Sequence, residues 1–318
     1  NTTMNILIAD SGSTKTDWAL VDEQGGVMMT SKTQGINPIH QQDAAILDIL
    51  CRDLVLAEQP QEVYFYGSGV TEAMKPRMRS LLQQAFPEAK VFAEGDMIGA
   101  ARALFGDQPG IACILGTGAN SCLYDGKQIV MNTPPLGYIL GDEGSGAVLG
   151  KQFLNGIFKG SLPASFKEKY LKWSGLDYPT IINKVYREPL ANRYLASICP
   201  FISQQLEEAD KYENGSDQLA EVMALYRMVL GCFNLFYENN LTPYINFVNV
   251  SLDDISQLDP GVKAWDGSLG GVPPVGFVGS VAHYFRSPLT LVMHDEHHLE
   301  ISQILQAPMA GLIKYHAK

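Results

Sequence analysis

Apolar and polar positions along the chain alternate between two patterns, one of short strands and one of helices. The first run, Met4-Asn5-Ile6-Leu7-Ile8-Ala9, is β-branched and apolar and reads as a buried strand. It breaks at Asp10-Ser11-Gly12-Ser13-Thr14-Lys15-Thr16, resumes at Trp18-Ala19-Leu20-Val21, turns at Asp22-Glu23-Gln24-Gly25-Gly26 and resumes at Val27-Met28-Met29. That order predicts an antiparallel meander. Residues 44–57 carry apolar side chains at helical spacing, Val63-Tyr64-Phe65-Tyr66-Gly67 reads as a strand, 75–85 as a helix, Ala89-Lys90-Val91-Phe92-Ala93 as a strand and 98–105 as a helix. Gly106-Asp107-Gln108-Pro109-Gly110 is the expected boundary of this half.

The opening device then recurs. Gly110-Ile111-Ala112-Cys113-Ile114-Leu115 is a buried run that breaks at Gly116-Thr117-Gly118-Ala119-Asn120-Ser121, resumes at Cys122-Leu123-Tyr124 and turns at Asp125-Gly126-Lys127. Strand, small polar turn, strand and Asp/Gly turn thus occur twice. A duplicated domain with both turns facing one cleft is the simplest account, and chance recurrence is the alternative. Helical periodicity follows over 146–158, 194–209 and 218–237, and 241–274 reads mostly as loop. Pro274-Val275-Gly276-Phe277-Val278-Gly279-Ser280-Val281 reads as a strand ending at a Gly-Ser turn, and 301–317 as a helix interrupted by Pro308 and Gly311.

Length fits this division, since 318 residues suit two domains of roughly 100–200 residues each. Hydrophobic residues at 46% and charged residues at 18% argue for a packed core and against global disorder. The net charge of −11 argues against a nucleic-acid partner, because an acidic surface repels phosphate backbones. It leaves room for a small phosphorylated ligand held by backbone N–H groups. The start, Asn1-Thr2-Thr3-Met4, has no basic n-region, and no apolar run reaches the ~18–20 residues that span a bilayer. The expectation is a cytoplasmic protein without a membrane partner. Cys51, Cys113, Cys122, Cys199 and Cys232 form no Cys-x-x-Cys pair and read as small apolar fillers, not as metal ligands.

A strand that ends in a Gly/Ser/Thr turn exposes consecutive backbone N–H groups to an anion. Hydroxyls at Ser13, Thr14, Thr16 and Thr117 add donors, and Asp10 stands where one carboxylate could hold hydrated magnesium beside a polyphosphate. Ordinary hairpin turns are the alternative. Gly146-Ala147-Val148-Leu149-Gly150-Lys151-Gln152 is not a P-loop, having three residues between its glycines and Gln in place of Ser/Thr. Gly116-x-Gly118-x-x-Ser121 lacks the third glycine of a dinucleotide fingerprint. Asp142 and Glu143, between glycines, suit sugar hydroxyls, a metal or the first turn of a helix. Asp96 suits either a helix N-cap or a general base at a strand end. His294-Asp295-Glu296-His297-His298 has metal-ligand composition without a His-Glu-x-x-His pattern, and a solvated loop is the favoured reading.

Several of these segments together resemble the sugar kinase/Hsp70/actin superfamily. Asp10 to Thr16 resembles its first phosphate motif, Leu115 to Ser121 its second, and Val275-Gly276-Phe277-Val278-Gly279-Ser280-Val281 its adenosine motif. Residues 137–146, with Gly-Asp-Glu-Gly-Ser at their centre, resemble the N-acetylglucosamine kinase branch, also called the BadF/BadG-type ATPase family. Residues 307–312 are a weaker match to the family's C-terminal helix. The resemblance covers most of 4–158 and resumes at 275–283. It implies an α/β fold of two duplicated ribonuclease H-like (actin/hexokinase-type) domains with a central cleft, closing over ATP and a sugar. Residues 1–109 would be an N-terminal actin-like ATPase domain. Residues 110–318 would be a C-terminal actin-like domain with helical insertions, its last helix free to return to the first.

By the same resemblance Asp96 is the catalytic base that deprotonates the sugar 6-hydroxyl. Asn37, Gly118, Asn120 and Asp142 contact the sugar. Asp10, Gly12, Ser13, Thr14, Lys15, Thr16, Gly116 and Thr117 line the ATP phosphates, and Gly276, Gly279 and Ser280 the adenosine. Mg2+ would sit near Asp10, through water. The implied activity is ATP-dependent phosphorylation of N-acetylglucosamine or a related amino sugar, in a chain for which a homodimer is an allowed assembly. An ATPase activator or a sugar-responsive binding protein without turnover are the alternatives. One departure bears on the choice of sugar: Leu136 stands where the family often has Trp.

Overall fold

A computed structural model of the chain describes residues 4–249 and 271–317. The chain divides into two compact units. The first runs to Pro109 and takes in Tyr124–Ile129 and the chain from Ala307, and the second holds Gly110–Leu123 and Val130–Gln306.

In the first unit, β1 (Asn5–Ser11), β2 (Lys15–Asp22), β3 (Val27–Gln34), β4 (Glu62–Gly67) and β5 (Lys90–Gly95) form one sheet in the order β3-β2-β1-β4-β5. β1 is antiparallel to β2 and parallel to β4, and β4 is parallel to β5. The unbroken apolar run of β1 is explained by its central place. Ile6, Leu7, Ile8 and Ala9 are all buried, because helices cover both faces of the sheet. On one face the helices Asp43–Asp48 and Lys75–Ala85 bring Ile46, Met78 and Leu82 against Leu7, Trp18 and Phe65. Each such side chain contributes about 1.5–3 kcal/mol of burial. The other face carries the helices Asp96–Phe105 and Met309–His316.

That second face is fastened by a buried polar chain. Arg102 donates to the Tyr66 hydroxyl (2.8 Å), which meets His316 Nε2 at 2.7 Å. The Arg102 guanidinium also lies over the Tyr66 and Tyr315 rings. With Arg102 on its oxygen, the hydroxyl donates to a neutral imidazole. Burial, and then the Arg102 charge, push His316 down from 6.5 to about 4. The unfolded chain therefore takes a proton near pH 6.5 that the native chain refuses until about pH 4. Stability is full above that window and is lower by about 3 kcal/mol below it. Denaturant unfolding at steps from pH 7.5 to 4.5 should show this loss, and His316→Asn should remove most of the difference between pH 6.5 and 5. An unchanged pH slope in the variant would refute the assignment.

The second unit repeats the topology. β6 (Gly110–Leu115), β7 (Ala119–Tyr124), β8 (Ile129–Met131), β9 (Val275–Val278) and β10 (Ile301–Leu305) form a sheet in the order β10-β9-β6-β7-β8. Counted from each unit's first strand, the two orders are identical, so the duplication read from the recurring turns is real and the fold class is that of a duplicated α/β protein. The helices Gly146–Lys159, Ala191–Ala196, Cys199–Glu207 and Asp217–Phe236 build this unit's core. Phe153 and Phe201 pack at 5.6 Å between ring centres, and Tyr170 meets both edge-on at 5.5 Å.

Four local expectations are corrected. Ile301–Leu305 is strand β10, paired with β9, and the helix begins only at Met309. The 241–274 stretch opens with a helix, Thr242–Val248, which continues directly from the π-helical turn Tyr237–Leu241 and carries Pro243 at that junction; residues 250–270 of it lie outside the described residues. His294, Asp295 and Glu296 belong to a π-helical turn, Leu291–Glu296, anchored by buried Val292 and Met293. Asp217–Val248 is, among the described residues, one stretch long and apolar enough to cross a membrane. Its Val222, Leu225, Val229, Phe233 and Phe236 are nevertheless packed in this unit's core.

Candidate active site

In the first unit three parallel strands, β1, β4 and β5, deliver their carboxyl ends to one edge of the sheet, the position where open α/β sheets bind ligands. β1 ends at Asp10-Ser11 and turns through Gly12, Ser13 and Thr14, closed by Gly12 N–H on Lys15 O (3.0 Å). Ser11 is buried beneath this turn. Its hydroxyl meets Thr16 Oγ1 at 2.8 Å, donates to Ile36 O (3.0 Å) and accepts Ile36 N–H (2.9 Å). Gly35 follows the same logic, since a Cβ there would lie 2.5 Å from Gly12 O. Only glycine lets the 35–37 strand exit lie directly under the turn.

Asn37 is thereby fixed beside β4's exit. Its backbone N–H donates to Gln41 Oε1 (2.7 Å), its Oδ1 accepts Ile39 N–H (2.9 Å), and its amide lies against Gly69. Arg77 secures the loop from outside, donating to Pro38 O and Gln41 O and pairing with Asp43. At β4's end Ser68 N–H donates to Ser11 O (3.0 Å), and Ser68 Oγ donates to Asp96 Oδ2 (3.2 Å). Asp96 is the first residue of its helix and Gly95 the N-cap, so the reading of Asp96 as a cap is replaced. Burial raises the Asp96 carboxyl above its usual range, against the opposing pull of the Ser68 hydroxyl and the Met97 N–H.

Asp10 sits opposite Asp17 in the β1–β2 ladder. Burial first, then the charges of Asp17 and Asp96, push Asp10 up to about 7, and Lys15 works the other way. Lys15 itself pairs with Asp17 at 3.3 Å. The edge therefore gathers carboxylates with too little cation to balance them. Among the described residues no group of three or more His, Cys, Asp or Glu side chains is placed to hold a metal ion. This donor set fits a magnesium ion held chiefly by phosphate oxygens and water, with one protein carboxylate. Thr16 does not fit its expected role. It is fully buried, with its hydroxyl spent on Ser11 and Gln34 O (3.0 Å), and it braces the turn instead of meeting phosphate.

The second unit builds its own turn. Gly116-Thr117-Gly118 closes with Gly116 N–H on Gly118 O (3.0 Å). Its carbonyls are met by the first N–H groups of the helix Gly146–Lys159: Gly146 donates to Gly116 O (2.7 Å) and Ala147 to Thr117 O (3.1 Å). Ser145 caps that helix through Val148 N–H (3.2 Å). Asp142 lies at Gly118, with Oδ1 accepting Ala119 N–H (3.2 Å). Burial raises its carboxyl, the Ala119 bond opposing. Asn120 Oδ1 accepts from Asn132 Nδ2 (3.0 Å). Gly279 packs against the end of β6, and Ser280, exposed, opens the short helix Ser280–Tyr284. Gly276 is a correction: it pairs with Ala112 inside β9, buried, and has no surface to offer a nucleotide.

The sequence motifs above leave out Ser68. Gly67-Ser68-Gly69 at the end of an apolar strand repeats the signature of the Asp10 turn, and that signal was present. Leu136 is 60% exposed, beside exposed Ile139 and Leu140.

No protein-family model and no curated protein matches the chain. Solved structures do. A provisionally assigned N-acetylglucosamine kinase from Porphyromonas gingivalis is 40% identical, with 98% of each chain covered and a TM-score of 0.82. A second provisionally assigned N-acetylglucosamine kinase, from Chromobacterium violaceum, is 18% identical over 99% of this chain and all of its own, with a TM-score of 0.60. A glucokinase from Streptomyces griseus, solved with glucose and AMPPNP, shares the fold at 14% identity and a TM-score of 0.50, with 98% of each chain covered. The full-length likeness at 40% identity places this chain in the N-acetylglucosamine kinase family of the actin-like superfamily.

Proposed function

We propose that the protein is an ATP-dependent sugar kinase that phosphorylates the 6-hydroxyl of N-acetylglucosamine or a related amino sugar. The observation that carries this reading is Asp96, a carboxylate at the carboxyl end of β5, bonded to Ser68 and raised by burial, in a chain related end to end to a provisionally assigned N-acetylglucosamine kinase. A base poised above the ordinary carboxylate range is better matched to a hydroxyl proton near neutral pH. Asp96 takes the proton as the sugar oxygen attacks the γ-phosphorus, and the phosphoryl group passes to the sugar as ADP leaves. The Gly12–Thr14 turn and the Gly116-Thr117 turn, whose glycine N–H groups close the loops on Lys15 O and Gly118 O, hold the phosphates with their following N–H groups and with the hydroxyls of Ser13, Thr14 and Thr117. Asn37, Gly118, Asn120 and Asp142 orient the sugar, and Gly279 and Ser280 lie against the adenosine. Magnesium, when bound, offsets charge on the transferring phosphoryl group, and Asp10 would hold it through water.

The activator reading draws no support from the thiols. Cys113, Cys122, Cys199 and Cys232 are buried, and Cys51 alone is exposed. An ADP-release screen over N-acetylglucosamine, N-acetylmuramic acid and glucosamine tests the proposal. At least one sugar should stimulate ADP release well above the rate without sugar. A protein indifferent to every sugar in the panel would sink it.

A further inference from the structure

Glu143 has no part in the chemistry above, yet it is among the most deliberately held side chains in the second unit. Its Oε1 accepts Asn239 Nδ2 (3.0 Å) and its Oε2 accepts Asn240 Nδ2 (3.2 Å). Both amides come from one π-helical turn, Tyr237–Leu241, between the helices Asp217–Phe236 and Thr242–Val248. Neighbouring side chains on an ordinary helix diverge by about 100°. The wider turn narrows that divergence, so two successive amides reach one carboxylate. π-Helical turns recur at functional sites, and this one has a stated task.

The same short segment holds the surroundings of Asp142 from two further directions. Asn240 O accepts Thr133 Oγ1 (2.9 Å), and Tyr244 Oη accepts Thr133 N–H (2.8 Å) and bonds Ser121 Oγ (2.7 Å). Thr133 leads to Pro135, whose carbonyl accepts Asp142 N–H (3.0 Å), and Ser121 follows Asn120. Asp142 needs such bracing, because its φ of +52° is left-handed and strained for a residue with a Cβ. A strained residue persists only where its neighbours leave it no alternative.

We propose that Glu143 is a positioning residue for the sugar. By gripping Asn239 and Asn240 it holds Asp142 in the left-handed conformation that keeps its carboxylate on Ala119 N–H and beside Gly118. This role rests on the sugar-kinase reading, in which Asp142 contacts the sugar.

Glu143→Gln tests it. The amide keeps the shape and satisfies one asparagine, but presents N–H2 to the other. A loosened Asp142 should raise the KM and the Kd for the sugar by about tenfold, the size expected when one hydrogen bond to a charged acceptor is lost. The KM for ATP should stay within about twofold, since no phosphate contact is altered. Adding Asn239→Asp to Glu143→Gln restores a donor facing an acceptor, at an exposed position where a carboxylate is tolerated, and should return the sugar KM to within about threefold of wild type. Sugar Kd by isothermal titration keeps the comparison independent of turnover. Equal changes for sugar and ATP, a fall in melting temperature with unchanged sugar binding, or a double variant no better than the single one would each overturn the role. A wild-type chain that binds no amino sugar would overturn the kinase reading itself and this role with it, whereas sugar binding that is intact in both wild type and Glu143→Gln would overturn only this role.

Discussion

Asp96→Asn should lower kcat by about 10²–10⁴-fold, the range a positioned general base supplies, while ATP binds as in wild type. The substitution is nearly isosteric. Its amide oxygen can still accept from Ser68 Oγ and the Met97 N–H, the bonds that hold the carboxylate now, so the start of the helix Asp96–Phe105 survives. What is lost is the carboxylate lone pair that, in the proposed mechanism, receives the hydroxyl proton. The pH profile gives a second signature. Burial raises the Asp96 carboxyl, so the wild-type rate should climb with pH above the usual carboxylate range as the base ionises, and the residual rate of the variant should lack that limb. Asp10, pushed up to about 7 in part by the Asp96 charge, adds its own ionisation, which should persist in the variant but move to lower pH once that charge is gone, and so separates the two. Steady-state kinetics from pH 5 to 9 with ATP titration would check both. Undiminished turnover in Asp96→Asn would remove the mechanism.

Gly279→Ala should be nearly as damaging, by a different route. The backbone at Gly279 has φ +132° and ψ +163°, a region that is essentially glycine-only. A Cβ there would drive into the carbonyl of Leu115, at the end of β6, and sit 3.3 Å from Gly116 N. Two costs combine: a strained backbone of about 1–3 kcal/mol, and displacement of the strand end that presents the Gly116 turn. The expected outcome is a clear drop in melting temperature together with loss of ATP affinity by more than about tenfold. Thermal unfolding by circular dichroism and ATP titration measure the two. A variant that melts and binds ATP like wild type would mean that β9's exit does not support the Gly116 turn.

Both turns were legible because a buried strand that stops at Gly, Ser and Thr can do little else, and their recurrence carried the duplicated fold. The identical strand order of the two sheets is the physical form of that repetition. What was misread was decided by tertiary contact or by the pleat. Thr16 looks like another hydroxyl for phosphate, yet it lies opposite Ser11 in the ladder and faces inward with it. Ile301, Ile304 and Leu305 have helical spacing, but β9 offers an edge and Ile304 pairs with Phe277, so pairing overrides period. Gly276 shares a motif with Gly279 and Ser280 without sharing their exposure, because it lies inside β9 and only the strand's exit reaches the surface. The grip of Asn239 and Asn240 on Glu143 spans nearly a hundred positions, and no local pattern announces it.

The account stands or falls on where the γ-phosphoryl group of ATP goes. Phosphorus NMR of a reaction containing the protein, Mg2+, ATP and the sugar that most stimulates ADP release would follow it directly. ADP and a sugar 6-phosphate monoester should grow in equal amounts, with little inorganic phosphate. ADP accompanied only by inorganic phosphate, or ATP left intact, would contradict it.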